Sequence, residues 1–280
     1  MAEPTFDRAV YAARLATRSF GRRLIVRAEV ESTNDIAWDA IAEGEPDGTT
    51  AIADVQTRGR GRAGRAWLTT PGKGLALSIV LYPGCERRQQ GTLPLVAGLA
   101  LVKALDRLGV AARLKWPNDV LIGERKVAGI LCESRRVPLG DELADVVVVG
   151  VGVNVTQQAD DFPADISAAD FAGAQPAFSL AGTSLAMEGH ALDRETVAAE
   201  FLNALEPLWV LHAEGGREEV LAAWTRRADF WGRPVTVRTP SGAVSGIARA
   251  LDPDGALIVR LESGVESTVL AGDLDVAWPG

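Results

Sequence analysis

Residues 54–67 read DVQTRGRGRAGRAW and set Arg58, Arg60, Arg62 and Arg65 among Gly59, Gly61 and Gly64. Guanidinium groups are planar, permanently charged and bidentate, which suits them to phosphate and carboxylate oxygens. The glycines permit positive φ and let a ligand lie close to the backbone. Successive exposed N–H groups in such a turn would form an anion-binding nest. The rest of the chain does not share this charge: its net charge is −8. Anion chemistry is therefore concentrated in one turn, whereas broad coating of nucleic acid is disfavoured. The spacing matches neither the G-x-x-x-x-G-K-[ST] phosphate loop nor a dinucleotide fingerprint. A solvated basic turn and a local RNA contact stay open on these residues alone. Trp67, which closes the segment, reads either as a stacking platform or as a core anchor.

Two further stretches carry chemistry. In RLKWPNDVLIGERKVAGILCES, residues 113–134, Pro117 restrains the chain before Asn118 and Asp119. Lys126 then leads into an apolar strand, where an ammonium can meet a ligand carboxylate or phosphate, or simply reach to water. Gly129 would let a ligand pass close to that strand. In VVVVGVGVNV, residues 146–155, Gly150 and Gly152 interrupt a buried strand and Asn154 supplies an amide beyond them. A tightly packed sheet crossing explains that pattern equally well.

These residues need a scaffold, and the periodicity supplies one. LIVRAEV (24–30) alternates as a strand and runs into ESTNDIAWDAIAEG, a helix capped by Ser32 or Thr33, with Asp35 completing a capping box. TTAIADV and KGLALSIVLYP are strands on either side of the arginine turn. LPLVAGLALVKALDRLG (93–109) is a helix stopped by Gly109. Strands follow at 112–116, 119–122, 127–133 and 144–151. TQQADDFPADISAADFAGAQPAF (156–178) reads as a surface excursion, followed by two helices. The predicted fold class is α+β, a mixed sheet with flanking helices, and too irregular for a doubly wound fold. Past residue 231 the chain becomes a meander of short strands with PSG, DPDG and ESG turns. We expect a domain over residues 1–231 and a second over 232–280, the latter closed as a small β-barrel to remove its edges.

The composition limits other classes. With His190 and His212 as the only histidines, a histidine-rich zinc site is improbable. Cys85 and Cys132 are the only cysteines, and a reducing, cytoplasmic setting is the default. No secretory signal opens the chain and no apolar run reaches membrane-spanning length, so no membrane partner is expected.

The segments ESTND, VQTRGRGRAGRAW, KWPNDVLI, RKVAGILCE and GVGVNV occur in the order seen in biotin–protein ligases, also called biotin–acetyl-CoA-carboxylase ligases. With the RPV segment at 233–235, the resemblance covers roughly residues 24–275. It implies the fold shared by class II aminoacyl-tRNA synthetases and biotin–lipoate ligases, with an SH3-like C-terminal barrel. It implies a ligase that activates biotin with ATP as biotinyl-5′-AMP, then passes biotin to a lysine of a carboxylase carrier domain. In that resemblance Ser32, Thr33 and Gln56 hold the biotin ring system, and Asn34 belongs with the binding residues. Gly59, Arg60, Arg62, Gly64 and Arg65 belong to the loop folding over biotin and the adenylate. Lys126 stands beside the reacting carboxylate and phosphate, and with Arg62 is expected to be catalytic. Asn118, Asp119, Gly129 and Asn154 lie around the biotin, metal and nucleotide region, with Asp119 expected to assist Mg2+, and Trp67 sits near the adenine side. Thirty-one residues precede Ser32, so the form without a DNA-binding domain is expected, with no DNA partner. A homodimer is also expected from the family. The alternatives are a lipoate–protein ligase and a non-catalytic module binding RNA or protein.

Overall fold

Strict alternation of side chains along three central strands divides this molecule into a sealed face and a working face. A computed structural model of the chain describes residues 3–82, 87–139, 142–162 and 181–277. Its main sheet has seven strands in the order β1-β2-β3-β7-β6-β5-β4. These are β1 (Leu24–Val30), β2 (Thr50–Gln56), β3 (Gly74–Leu81), β4 (Arg113–Lys115), β5 (Asp119–Ile122), β6 (Arg125–Leu139) and β7 (Glu142–Asn154). β1 and β2 run parallel and the other pairs are antiparallel, so the sheet is mixed, as the sequence predicts.

The register assigns the faces. Ser78 of β3 stands opposite Gly150 of β7, and Gly150 stands opposite Leu131 of β6. Gly152 of β7 stands between Ala76 and Gly129. Residues facing each other across a ladder share a face. On the opposite face, Leu75, Leu77, Ile79, Leu81, Val147, Val149, Val151 and Val153 enter the main core. There they meet α3 (Leu93–Arg107), α4 (Arg194–Ala213) and α5 (Arg217–Thr225). α3 has apolar residues all round and is buried along most of its length, as expected for a helix between layers. The working face is covered partly by α2 (Thr33–Ala42), whose Ala37, Trp38 and Ile41 pack on Val80, Val146 and Val148. The glycine-rich part of that face is left to the arginine turn.

The N-terminal segment carries a helix absent from the sequence reading, α1 (Arg8–Arg14), capped by Asp7. The segment is tied to α4: Glu206 accepts from the amides of Arg18, Ser19 and Phe20 at 2.7–2.9 Å. Arg194 pairs with Asp54 of β2 at 2.8 Å, both buried. β6 and β7 are longer than the sequence suggests, because they pair along their full length from Ala128–Val153 to Leu139–Glu142. Of the excursion expected at 156–178, residues 163–178 lie outside the described residues, as does Cys85.

Residues 234–276 form a second sheet from β8 (Pro234–Thr239), β9 (Gly242–Leu251), β10 (Leu257–Arg260), β11 (Glu266–Val269) and β12 (Asp273–Val276). Its order is β11-β10-β9-β8-β12, an open sheet, and this corrects the expectation of an SH3-like barrel. Closure was expected because an isolated sheet must hide its edges. This sheet is not isolated: Val235, Val237, Ala248, Leu257, Val259, Val269 and Leu274 join the same core as the main sheet. The indole N–H of Trp116 donates to Gly255 O at 3.0 Å, fastening the two sheets. The edge strand β12 is short and carries Asp273 and Asp275, a charged edge that discourages pairing.

Candidate active site

The α2 end of the working face holds a buried set of uncharged polar groups. Ser32, Thr33 and Asn34 are each at most 4% exposed. Gln56, at the end of β2, accepts from the Thr33 amide at 2.8 Å and lies 3.0 Å from its hydroxyl. Ser78 is fully buried, with its Oγ 2.7 Å from Thr33 Oγ1 and 2.6 Å from Asn34 Oδ1. Asn34 fits because Gly150 has no side chain; a Cβ there would stand 2.4 Å from Asn34 Oδ1. Ser32 occupies the N-cap of α2 without a side-chain cap bond. Asp35 completes no capping box, because its carboxylate is engaged elsewhere.

That partner is Arg60. Its guanidinium binds Asp35 through two bonds of 2.8 and 2.7 Å and reaches Glu133 Oε1 at 3.3 Å. Hydrogen bonding to Arg60 holds the Asp35 carboxyl below its ordinary value. Glu133 is itself braced by the indole N–H of Trp38 at 2.8 Å. The turn folds back as a small hairpin. Trp67 N–H donates to Gly59 O, Arg60 bridges Ala66, and Gly61 N–H donates to Arg65 O at 2.7 Å. Ala63 and Gly64 make the reversal at positive φ. Gly59 is required for the hairpin to close: a Cβ there would stand 2.3 Å from Trp67 O. The anion nest expected in this turn is therefore not formed by Gly61, Arg65 or Trp67, whose amides are spent within the hairpin.

The far side of the turn faces the second sheet. Arg65 pairs with Asp273 at 2.7 Å, and Arg62 donates to Gly272 O at 3.3 Å and Asn118 Oδ1 at 3.2 Å. Burial lowers the pKa of Arg62, with Asp273 opposing and Arg65 adding to the effect. Next to Asn118, Asp119 forms an ion pair of 2.5 Å with Lys126 Nζ. Lys126 also lies over the Trp67 ring, 5.7 Å from its centroid. The indole rests where Gly129 and Gly152 face one another; a Cβ on Gly152 would be 2.2 Å from the ring. Of the two sequence readings of Trp67, the ring is at least an anchor on the sheet. Lys115 is buried two strands away, its pKa lowered by burial against the pull of Asp119 and Asp275. A cavity of about 420 Å³ opens between Arg60–Arg65 and Leu131–Glu133 of β6. Lys126, Thr33 and Gln56 do not line it.

The predicted residues thus fall into two groups. Arg62, Asn118, Asp119, Lys126, Trp67 and Gly129 converge, and Thr33, Asn34 and Gln56 form the neutral set beside α2. Arg58 pairs with Glu31 on the exposed side, and Asn154 is occupied by Thr183 O and Gln157. Three participants escape the sequence reading: Ser78, Glu133 and Asp273. Ser78 leaves a trace, as the only polar side chain in the apolar run GLALSIVL. Beyond Lys126 the chain 181–183 runs parallel to it, with Lys126 N–H on Ala181 O and Thr183 N–H on Lys126 O.

Residues 26–154 match the biotin/lipoate A/B protein ligase family, and residues 230–276 match the biotin protein ligase C terminal domain. The chain is 38% identical over 244 residues to the biotin–[acetyl-CoA-carboxylase] ligase of Paracoccus denitrificans, covering 85% of this chain and 94% of that one. It is 30% identical over 263 residues to the bifunctional ligase/repressor BirA of Bacillus spizizenii, covering 94% of this chain and 76% of that protein. Among solved structures, the biotin protein ligase from Aquifex aeolicus in complex with biotin and ATP aligns with a TM-score of 0.70. That alignment is 29% identical and covers 91% of this chain and 99% of that one.

Proposed function

We infer the function from one premise: the chain belongs to the biotin/lipoate A/B protein ligase family, on its biotin–protein ligase side. It is an ATP-dependent ligase that activates biotin and transfers it to a lysine on the carrier domain of a biotin-dependent carboxylase. The observation that carries this reading is the convergence of Arg62 and Lys126 on Asn118–Asp119, beside a buried neutral hydrogen-bonding set.

In the first step a biotin carboxylate oxygen attacks the α-phosphorus of ATP, and pyrophosphate leaves. Two anions must approach each other, so positive charge fixed in advance lowers the barrier. Arg62 and Lys126 supply it, Lys126 by leaving Asp119 for the carboxylate and phosphate. In the second step the carrier amine attacks the acyl carbon, loses a proton, and expels AMP. Lys126 then stabilises the oxyanion. The neutral set holds the urea ring, which carries no charge, while Trp67 and Gly129 form the floor beside it, and Asn154 braces the 181–183 segment next to Lys126. Gly59 and Gly64 allow the turn that presents Arg62, whereas Arg60 and Arg65 fasten it.

Magnesium is tested by the donor set. Among the described residues no three His, Cys, Asp or Glu side chains gather, and Asp119 already holds an ammonium. A resident metal site does not fit. Magnesium enters as part of the nucleotide substrate, carried by its phosphates, and Asp119 could assist it once Lys126 has turned away. Among the described residues no helix is long and apolar enough to cross a membrane. Homodimerisation is a finer proposal; β1 and β4 end the main sheet, and sedimentation across concentration tests it.

The deciding experiment offers biotin or lipoate with MgATP, following pyrophosphate release and ATP-dependent labelling of a carrier domain. Biotin-dependent release and labelling support the reading. Release with lipoate alone, or with neither acid, overturns it.

A further inference from the structure

Ser78 sits behind Thr33 and Asn34 and is fully buried in β3. Its hydroxyl has one proton and two oxygens within reach, Thr33 Oγ1 at 2.7 Å and Asn34 Oδ1 at 2.6 Å. An amide oxygen only accepts, so Ser78 donates to Asn34 Oδ1 and shares the same proton with Thr33 Oγ1. The threonine proton is donated in turn to Gln56 Oε1 at 3.0 Å. Gln56 Oε1 also accepts from the Thr33 amide. This count leaves two groups unspent. Thr33 Oγ1, its proton committed to Gln56, retains a lone pair, and Asn34 Nδ2 is buried with no hydrogen-bond partner among the described residues. A buried donor without an acceptor is costly and calls for one.

We propose that Ser78 is a positioning residue that fixes Thr33 as an acceptor and Asn34 as a donor for a cyclic urea. The inference rests on the biotin reading. A urea ring presents N–H donors on both sides of one carbonyl acceptor, which is the complement of these two groups. Gly150 contributes the space: only without a Cβ can Asn34 lie against β7 with its oxygen turned to Ser78. Ser78 touches no substrate, and it acts by deciding which of its neighbours gives a proton and which receives one.

Ser78→Ala removes the relay, and Ser78→Cys fills the space with a weak donor; both are compared with the parent protein by calorimetric titration of biotin and by steady-state kinetics. Biotin affinity should fall about tenfold, by the loss of one buried hydrogen-bond arrangement. Desthiobiotin, which keeps the urea, should lose the same factor, while the KM for ATP and kcat should stay within about twofold. A role in packing alone would lower the thermal midpoint without that split. Should both variants fail to fold, the unmodified protein carries the test. It should bind a protonated cyclic guanidine analogue of biotin at least about tenfold more weakly than biotin, because Asn34 Nδ2 faces that position as a donor. Unchanged biotin affinity in a folded variant, or equal binding of the guanidine analogue, overturns the inference. A parent protein that binds no biotin overturns the proposed function itself, and the two failures are thereby distinguished.

Discussion

The two polar regions of the site are built in opposite ways. Beside α2, Thr33, Asn34 and Ser78 are neutral, buried and joined by hydrogen bonds of 3.0 Å or less. In the turn, Arg60 and Arg65 are charged, each 38% exposed, and held by ion pairs to Asp35 and Asp273. A buried neutral network is costly to rearrange, because every group left unsatisfied costs about 1–3 kcal/mol. An exposed ion pair contributes about 0–1 kcal/mol and is screened by salt. The molecule thus keeps recognition rigid where the ligand is uncharged. It keeps the charged cover detachable where substrates must enter and products leave.

The largest effect that tests this division is at Lys126. Lys126→Ala should slow both adenylate formation and transfer from supplied adenylate by about a hundredfold. Measured separately, normal rates in both would remove Lys126 from the mechanism. The next effect concerns the fastening. Replacing Asp35 and Glu133 by Asn and Gln releases Arg60, so the turn should lose its closed geometry and the KM for ATP should rise severalfold. The thermal midpoint should change little, since exposed ion pairs contribute little. An unchanged KM would mean that Arg60 does not hold the turn.

Smaller effects separate the regions by solvent condition. His212, paired with Thr92 at 2.7 Å, is another buried neutral contact. Burial holds its pKa below the ordinary 6.5, with Arg217 adding to the effect. Between that lowered value and about 6.5 the unfolded chain binds more protons than the folded one. Stability should therefore fall as pH drops below about 6.5, and level off below the folded-state value. Denaturation midpoints across pH would show this, and His212→Gln should flatten that slope. Smallest is the response to salt. Raising ionic strength toward 1 M shortens the screening length to about 3 Å. Amide exchange at Gly61 and Trp67 should then quicken modestly, while Thr33 stays protected.

How far the sequence foretold this depends on whether each cause was local. The strand at 24–30 and the helix after Ser32 follow from their own periodicity, and their bounds match. β6 and β7 run on through Arg135, Arg136 and Pro138, residues with little strand preference, because a long hairpin partner holds them. The open C-terminal sheet was misread for a similar reason. Whether a sheet closes on itself depends on what else covers it, here the core shared with α3 and α5. Within the site, Asp35 had a local explanation as a capping residue, and a distant arginine claimed it instead. Ser78 left only the trace of one polar side chain in an apolar strand, with no spacing to say what it meets.

The indole lying across Gly129 and Gly152 has a practical consequence for anyone reshaping this protein. Those two positions act as a fixed floor tile: even one added methyl at residue 152 would evict the aromatic ring and the turn behind it. Attempts to widen the ligand range by varying the strands beneath would fail there first. Diversification is better aimed at Leu131, which shares the working face with Gly150 and borders the cavity beside the arginine turn.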